Sequence, residues 1–330
     1  MPAPPRLPAA AMPRLPDDFL PAAFLKDGHA QTLFAQVARP RRPLPLQRRR
    51  LETPDGDFVD VDVLEGRPGA PTVLLLHGLE GSTDSGYMQL TLEGCRERGW
   101  GAWALNFRSC SGVPNRHLAS YSSGDIRDAA WLVPQLPGPA LAVGFSLGAS
   151  VLLNLLARAP ATPLLAAVAV SAPFDLSGCA DWLDSAAPAA RVYRLNFLPS
   201  MRQKALEKAA RFRGALDAGA VEKAWTIRAF DDAVTAPLFG YPSAEAYYRD
   251  CSAGPRLAAI RVRTLLLSAE DDALAPARFL PADAAANPAL DVCVTRHGGH
   301  VGFVSGTVLR PEFWAEARAL AWLAEVLAGV

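Results

Sequence analysis

The amino-acid sequence predicts an α/β protein with a mostly parallel central sheet, helices on both faces and a helical cap inserted over one end. Three observations predict it. Short continuous apolar runs recur along the chain, helix-favouring stretches separate them, and one interval between two runs is far too long for a simple crossover. The 330 residues are 50% hydrophobic and 20% charged, enough for a sizeable core. At about twice the ~150-residue domain average, the chain is expected to be one large unit with an insertion, or two domains.

Residues 1–50 are punctuated by proline and end in Arg39, Arg41, Arg42, Arg48, Arg49 and Arg50, interleaved with Pro40, Pro43 and Pro45. They read as an extended, solvated N-terminal extension packed over the body. A nucleic-acid patch is disfavoured, because no aromatics interleave and 33 basic side chains balance 33 acidic ones. Pro2, Pro4, Pro5, Pro8, Pro13 and Pro16 break the stretch where a secretory signal needs an unbroken apolar region.

The main body runs from 51 to 330. Phe58–Leu64 alternates apolar and acidic positions, as a half-exposed strand does. Thr72–Leu76 is apolar throughout, the pattern of a strand covered on both faces. Similar runs follow at Ala102–Phe107, Ala140–Phe145, Leu164–Val170, Val262–Leu267 and Leu290–Val294, with helices expected at about 86–98, 124–135 and 147–158. About ninety residues separate Val170 from Val262, where a crossover takes about 30. A cap is expected at about 175–255, including the helix-favouring run Met201–Leu216. The most apolar stretch, Leu164–Ala172, is closed by Pro163 and Pro173 and falls far short of the about 20 residues of a membrane span. No stable membrane insertion is expected. Five scattered cysteines without a CxxC pair argue against disulfides and structural zinc and suit a reducing cytoplasm.

Gly144-Phe145-Ser146-Leu147-Gly148 matches G-x-S-x-G and stands between an apolar strand and a helical run. In that setting a strained turn lifts a serine hydroxyl above the sheet, making Ser146 the candidate nucleophile. Serine needs a base, and the base needs a carboxylate to fix its tautomer. The chain order serine, acid, histidine leaves His297 and His300 after the last strand. His300 is preferred, since its flanking glycines let the loop reach back while His297 belongs to the strand end. Of Glu270, Asp271 and Asp272, the choice is Asp272, whose D-x-x-x-P context with Pro276 anchors the loop, and Asp271 is the runner-up. The oxyanion donors are expected to be the N–H groups of Leu147 and of Leu79, the latter in His77-Gly78-Leu79-Glu80-Gly81. His77 is assigned to bracing that loop. The segment Arg108–Arg116 is read as packing, and Cys110 lacks a neighbouring base for a nucleophilic role. Trp182, Phe197, Trp225, Phe239 and Tyr247 are candidates for an apolar acyl pocket.

These motifs resemble the α/β-hydrolase superfamily, and within it the YheT-like branch of esterases. The resemblance is carried by Gly28-His29-Ala30-Gln31-Thr32, the 77–82 loop, Asn106–Gly112 with Pro114-Asn115-Arg116, Gly144–Gly148 and Gly298–Phe303, from about residue 18 to the C-terminus. It implies that the N-terminal segment belongs to the fold, that the activity is hydrolysis of carboxylic esters and that the setting is cytoplasmic. Ser109 stands where the branch usually has glycine, Ala149 where a second glycine is frequent, and Tyr121–Gly124 replaces a form with histidine before the second serine. The expectation is a serine hydrolase acting on a small-molecule acyl ester with no metal or organic cofactor. A thioesterase or amidase using the same residues, and a catalytically silent binding protein on this fold, are the alternatives.

Overall fold

The apolar runs pair into one eight-stranded sheet in a computed structural model that describes residues 18–307 and 309–329. The proline-broken stretch read for a secretory signal lies, up to residue 17, outside the described residues. In chain order the elements before the cap are α1 (Gly28–Ala38), β1 (Gln47–Glu52), β2 (Phe58–Leu64), β3 (Thr72–Leu76), α2 (Gly86–Arg98), β4 (Gly101–Asn106), α3 (Arg127–Leu132), β5 (Ala140–Phe145), α4 (Leu147–Arg158) and β6 (Leu164–Val170). The sheet order is β1-β2-β4-β3-β5-β6, continued by β7 (Arg263–Ala269) and β8 (Leu290–Thr295). From β4 to β8 all neighbours are parallel, while β1 and β2 add an antiparallel edge. A hairpin, β9 (Val304–Thr307) and β10 (Arg310–Phe313), leads into α11 (Trp314–Ala328).

The central strands are apolar at every position because both faces are covered. Leu74, Leu76 and Ala142 pack on one side with Leu152 and Leu155 of α4, and Val73, Leu75 and Val143 on the other with Leu92 of α2 and Leu320 of α11.

β2 departs from its half-exposed pattern, since all seven of its residues are buried. Arg48 and Arg50 on β1 lie in register with Asp62 and Asp60 and grip their carboxylates with two hydrogen bonds each, all 2.8 Å long. Arg48, Arg49 and Arg50 therefore belong to an edge strand and not to a solvated coil, while Arg39, Arg41 and Arg42 lie before it, and a boundary at residue 50 falls inside β1. The alternation of Asp and Val recorded arginine partners instead of water.

Between β6 and β7 lie α5 (Leu176–Leu183), α6 (Pro188–Arg211), α7 (Ala218–Lys223), α8 (Ile227–Phe230), a π-helical turn Asp231–Thr235 continuing into α9 (Ala236–Leu238), and α10 (Ala244–Cys251). Pro188 opens α6 at a position where its missing N–H is no loss, so the run expected over Met201–Leu216 is, up to Arg211, the second half of a longer helix and leaves it beyond that residue. This insertion has its own apolar cluster, including Tyr193, Val221, Phe230 and Tyr247, which takes in Leu274 from the loop after β7.

The loop after β4 is structural. The buried Arg108 guanidinium reaches Asp128 at 2.6 Å and Asp55 at 2.7 Å and lies 3.6 Å from Asp57. Asn115 binds Asp57, the Phe58 carbonyl and the Ser109 N–H. Ser109 has φ +65°, the left-handed region that favours glycine, which accounts for the residue usual in the resembled branch. At the end of β3, buried His77 keeps Nδ1 2.7 Å from the Gly78 carbonyl and accepts the Phe107 N–H at Nε2, 3.1 Å away. Nδ1 therefore carries the proton, and burial pushes the pKa of His77 down to about 4.

These buried groups make two predictions. Replacing Arg108 by Met strands carboxylates without their cation and is expected to lower unfolding free energy by about 3–5 kcal/mol, measured by urea denaturation. His77 is neutral when folded but takes a proton when unfolded below about pH 6.5. Its contribution, up to about 3 kcal/mol, is thus present above that pH and fades as pH falls toward 4. Denaturation midpoints of His77→Asn are expected to show a smaller slope than wild type across that window.

Candidate active site

The turn between β5 and α4 packs closely against the end of β3. A Cβ on Gly148 would sit 2.3 Å from the Leu76 carbonyl oxygen and 2.5 Å from that of His77, and one on Gly144 would sit 2.5 Å from the Gly148 carbonyl oxygen. Glycine at both positions lets α4 rest directly on β3. Between them Ser146 adopts φ +52° and ψ −119°, a strained conformation for a residue with a side chain. It is held by its own N–H to the Val170 carbonyl at 2.9 Å and by the Ser150 N–H to its carbonyl at 3.1 Å.

The Ser146 hydroxyl lies 2.8 Å from His300 Nε2. His300 Nδ1 is 2.9 and 3.1 Å from the two carboxylate oxygens of Asp272. Asp272 is only 2% exposed, and its Oδ1 also accepts the N–H groups of Leu274 at 2.9 Å and Ala275 at 2.8 Å, so the turn leading to Pro276 presents the carboxylate to the imidazole. The runner-up residues form a separate pair: Asp271 accepts the Gly299 N–H at 2.8 Å and stands 3.6 Å from His297 Nδ1. Burial raises the Asp271 pKa. Asp271 holds the histidine loop from below while Asp272 meets the histidine itself.

That loop is pinned, where its glycines suggested mobility. Gly299 has φ +60°, and a Cβ there would come within 2.1 Å of the Gly28 carbonyl oxygen. Thr32 Oγ1 accepts the His300 N–H at 2.8 Å and donates to that same Gly28 carbonyl at 2.7 Å. Gln31 binds both backbone groups of Val304, and Arg39 binds the Val301 carbonyl and the Glu316 carboxylate. The Gly28–Thr32 motif thus braces the histidine loop. Sequence reasoning noted the motif without a role, because no rule of chain order connects a helix near residue 30 to a loop near 300.

The loop after β3 shows the same pinning. Gly78 N–H donates to the Tyr87 hydroxyl at 2.9 Å, Glu80 N–H to the Tyr121 hydroxyl at 3.0 Å and Gly81 N–H to the Gly78 carbonyl at 3.0 Å. The Leu79 N–H between them has no hydrogen-bond partner among the described residues, and neither has the Leu147 N–H in the first turn of α4. A Cβ on Gly78 would be 3.2 Å from the Ser146 Cβ, so this loop lies against the serine. Two free N–H donors, one at a helix N-terminus, favour negative charge beside Ser146.

Ser146, His300, Leu79 and Leu147 open on one cavity under the cap, with about 1220 Å³ of empty space, part of it open to solvent. Phe197, Phe239 and Tyr247 line it. The other two candidate aromatics lie elsewhere: Trp225 is 58% exposed beneath the Arg202 guanidinium, and Trp182 stacks on His29. Burial pushes the Cys110 thiol up to about 11, which keeps it protonated. Among the described residues no three His, Cys, Asp or Glu side chains group as metal ligands, and no helix is long and apolar enough to cross a membrane. A hydroxyl, imidazole and buried carboxylate in one hydrogen-bonded line can pass a proton from oxygen to nitrogen as the oxygen attacks a carbonyl.

A family model described as the alpha/beta hydrolase fold matches residues 71–307. The chain is 38% identical to an Escherichia coli (strain K12) protein named "Putative esterase YheT", over 94% of both chains. It is 29% identical to the mouse protein Phospholipase ABHD3, covering 89% of this chain and 75% of that one. Among solved structures, an esterase from Exiguobacterium antarcticum superposes with a TM-score of 0.53 at 17% identity, over 85% of this chain and 99% of that one, a likeness of fold. The chain belongs to the α/β-hydrolase family, in its YheT-like branch.

Proposed function

We propose that the protein is a serine hydrolase that cleaves small-molecule carboxylic esters through a covalent acyl-enzyme. The observation that carries this reading is the unbroken hydrogen-bonded chain from Ser146 through His300 to Asp272, beside two unpartnered N–H groups. Ser146 Oγ attacks the ester carbonyl carbon and His300 Nε2 takes its proton. The C=O π pair moves onto the oxygen, which the Leu79 and Leu147 N–H groups meet. Each such donor is worth about 3–4 kcal/mol in the transition state. Asp272 holds the imidazole in the tautomer with Nδ1–H and stabilises the imidazolium. The oxyanion collapses, the C–O bond to the alcohol breaks, and His300 returns its proton to the leaving alkoxide. Water, deprotonated by His300, then attacks the acyl carbonyl carbon, and as the bond to Ser146 Oγ breaks His300 returns the proton to that oxygen, releasing the acid and the free serine.

The apolar cavity suits the acyl chain, and the names of the Escherichia coli and mouse relatives agree with ester substrates. The five buried free thiols suit a reducing compartment, and we include a cytoplasmic setting in the reading. No step calls on a metal or organic cofactor.

The test is labelling with a fluorophosphonate and turnover of short and long p-nitrophenyl esters. Wild type is expected to be labelled and active, and Ser146→Ala unlabelled with kcat lower by at least about 10³-fold. Equal behaviour of the two on every ester would leave the chain a binding protein. The acids separate in the same assay. Asp272→Asn is expected to lose about 10³–10⁴ in kcat by favouring the wrong imidazole tautomer, while Asp271→Asn, which only loosens the loop, is expected to lose less than about tenfold.

A further inference from the structure

Lys204, Lys208 and Arg211 recur on α6 at spacings of four and three residues, which puts them on one face of the helix. All three reach down onto the body. Lys208 Nζ donates to the Leu118 and Ala119 carbonyls at 3.1 and 2.8 Å, and Arg211 to the Asn115 and Arg116 carbonyls at 2.6 and 3.2 Å. Lys204 alone meets a carboxylate: its Nζ is 3.0 and 3.1 Å from the two oxygens of Glu80. Glu80 follows Leu79 directly and has φ +56°, so it keeps a strained conformation that its surroundings must hold. The hydroxyl of Tyr121, whose ring stacks on Phe107, accepts the Glu80 N–H and donates to Glu80 Oε1 at 2.9 Å.

Glu80 is a costly neighbour for an oxyanion. Its side chain is 12% exposed and lines the same cavity as Ser146, so its negative charge is poorly screened and opposes negative charge developing near Leu79. Resting on the reading of Leu79 as an oxyanion donor, we propose that Lys204 is a positioning residue for ester hydrolysis: its ammonium neutralises Glu80 and fixes the strained loop, so that the Leu79 N–H meets the oxyanion without a repelling charge beside it. The cap then completes the oxyanion site as well as walling the acyl pocket.

The experiment compares wild type, Lys204→Met and the double variant Glu80→Gln/Lys204→Met on a short p-nitrophenyl ester. A trifluoromethyl ketone, whose hemiketal with Ser146 carries an oxyanion, serves as inhibitor. Lys204→Met is expected to lose about 10–100-fold in kcat with KM within about threefold, and its Ki for the ketone rises by the same factor. The double variant removes the stranded charge but keeps a side-chain carbonyl that still accepts from Tyr121, and it is expected to restore most of that loss. Should Lys204→Met melt far below wild type, Lys204→Arg and the double variant carry the comparison, both remaining within about tenfold of wild-type kcat. Unchanged kcat in Lys204→Met, a loss borne by KM, or a double variant as impaired as the single one would each overturn the role of Lys204 while leaving the Ser146 reading intact. Wild type that matches Ser146→Ala would instead remove that reading, and this proposal with it.

Discussion

The contact on which the rest depends is that of Gly148 with the carbonyls of Leu76 and His77. It lets α4 begin directly above β3, and only with the helix so placed can the chain turn within one residue and hold Ser146 at φ +52°. The strain at Ser146 is carried by hydrogen bonds on both sides of it, to Val170 and from Ser150, which belong to the sheet and to the helix. The same short approach places the helix N-terminus, the end of β3 and the loop that follows it around one hydroxyl. A side chain at 148 would move all three together.

Around this fixed turn, each loop that reaches the hydroxyl is held by partners distant in sequence. Thr32 and Gln31 hold the histidine loop from the N-terminal helix, Tyr87 and Tyr121 hold the loop after β3, and two backbone N–H groups aim Asp272. Loops of this kind would otherwise lose conformational entropy whenever a molecule bound beside Ser146. Pinning them during folding transfers that loss from binding to stability. It also gives a use to the second acid and the second histidine, since Asp271 anchors the backbone beside His300 without touching its ring.

What could be read from the sequence was whatever has a local period or a fixed chain order. Strands β3, β5 and β6 declared themselves as unbroken apolar runs, and the order of serine, acid and histidine pointed to Ser146, Asp272 and His300 before any distance was known. The Asp272 choice rested on Pro276, and in the structure the turn leading to that proline supplies the N–H groups that aim the carboxylate. Pairings across long separations left no such trace. Asp60 and Asp62 looked solvated because their partners lie on a neighbouring strand, Thr32 had no visible target, and the run Met201–Leu216 marked a helix without showing which of its side chains reach the body. Trp225 and Trp182 show the converse: Phe197, Phe239 and Tyr247 line the cavity while these two do not, because aromatic character alone does not say which face of the cap a side chain takes.

The arginine run near residue 40 shows how far a charge count can mislead about mechanism while remaining right in total. Arg39, Arg42, Arg48, Arg49 and Arg50 each pair with a carboxylate: Glu316, Glu93, Asp62, Glu65 and Asp60. For these five arginines the charge is met pair by pair at short range. Where one partner is buried, as at Asp60, Asp62 and Glu316, salt screens the pair little, and a phosphate competing for the arginine would leave a carboxylate desolvated and unpaired. The run therefore acts as a clamp, joining the first helix and the edge strand to the body, and through Arg39 and the Val301 carbonyl that clamp ends one residue from His300.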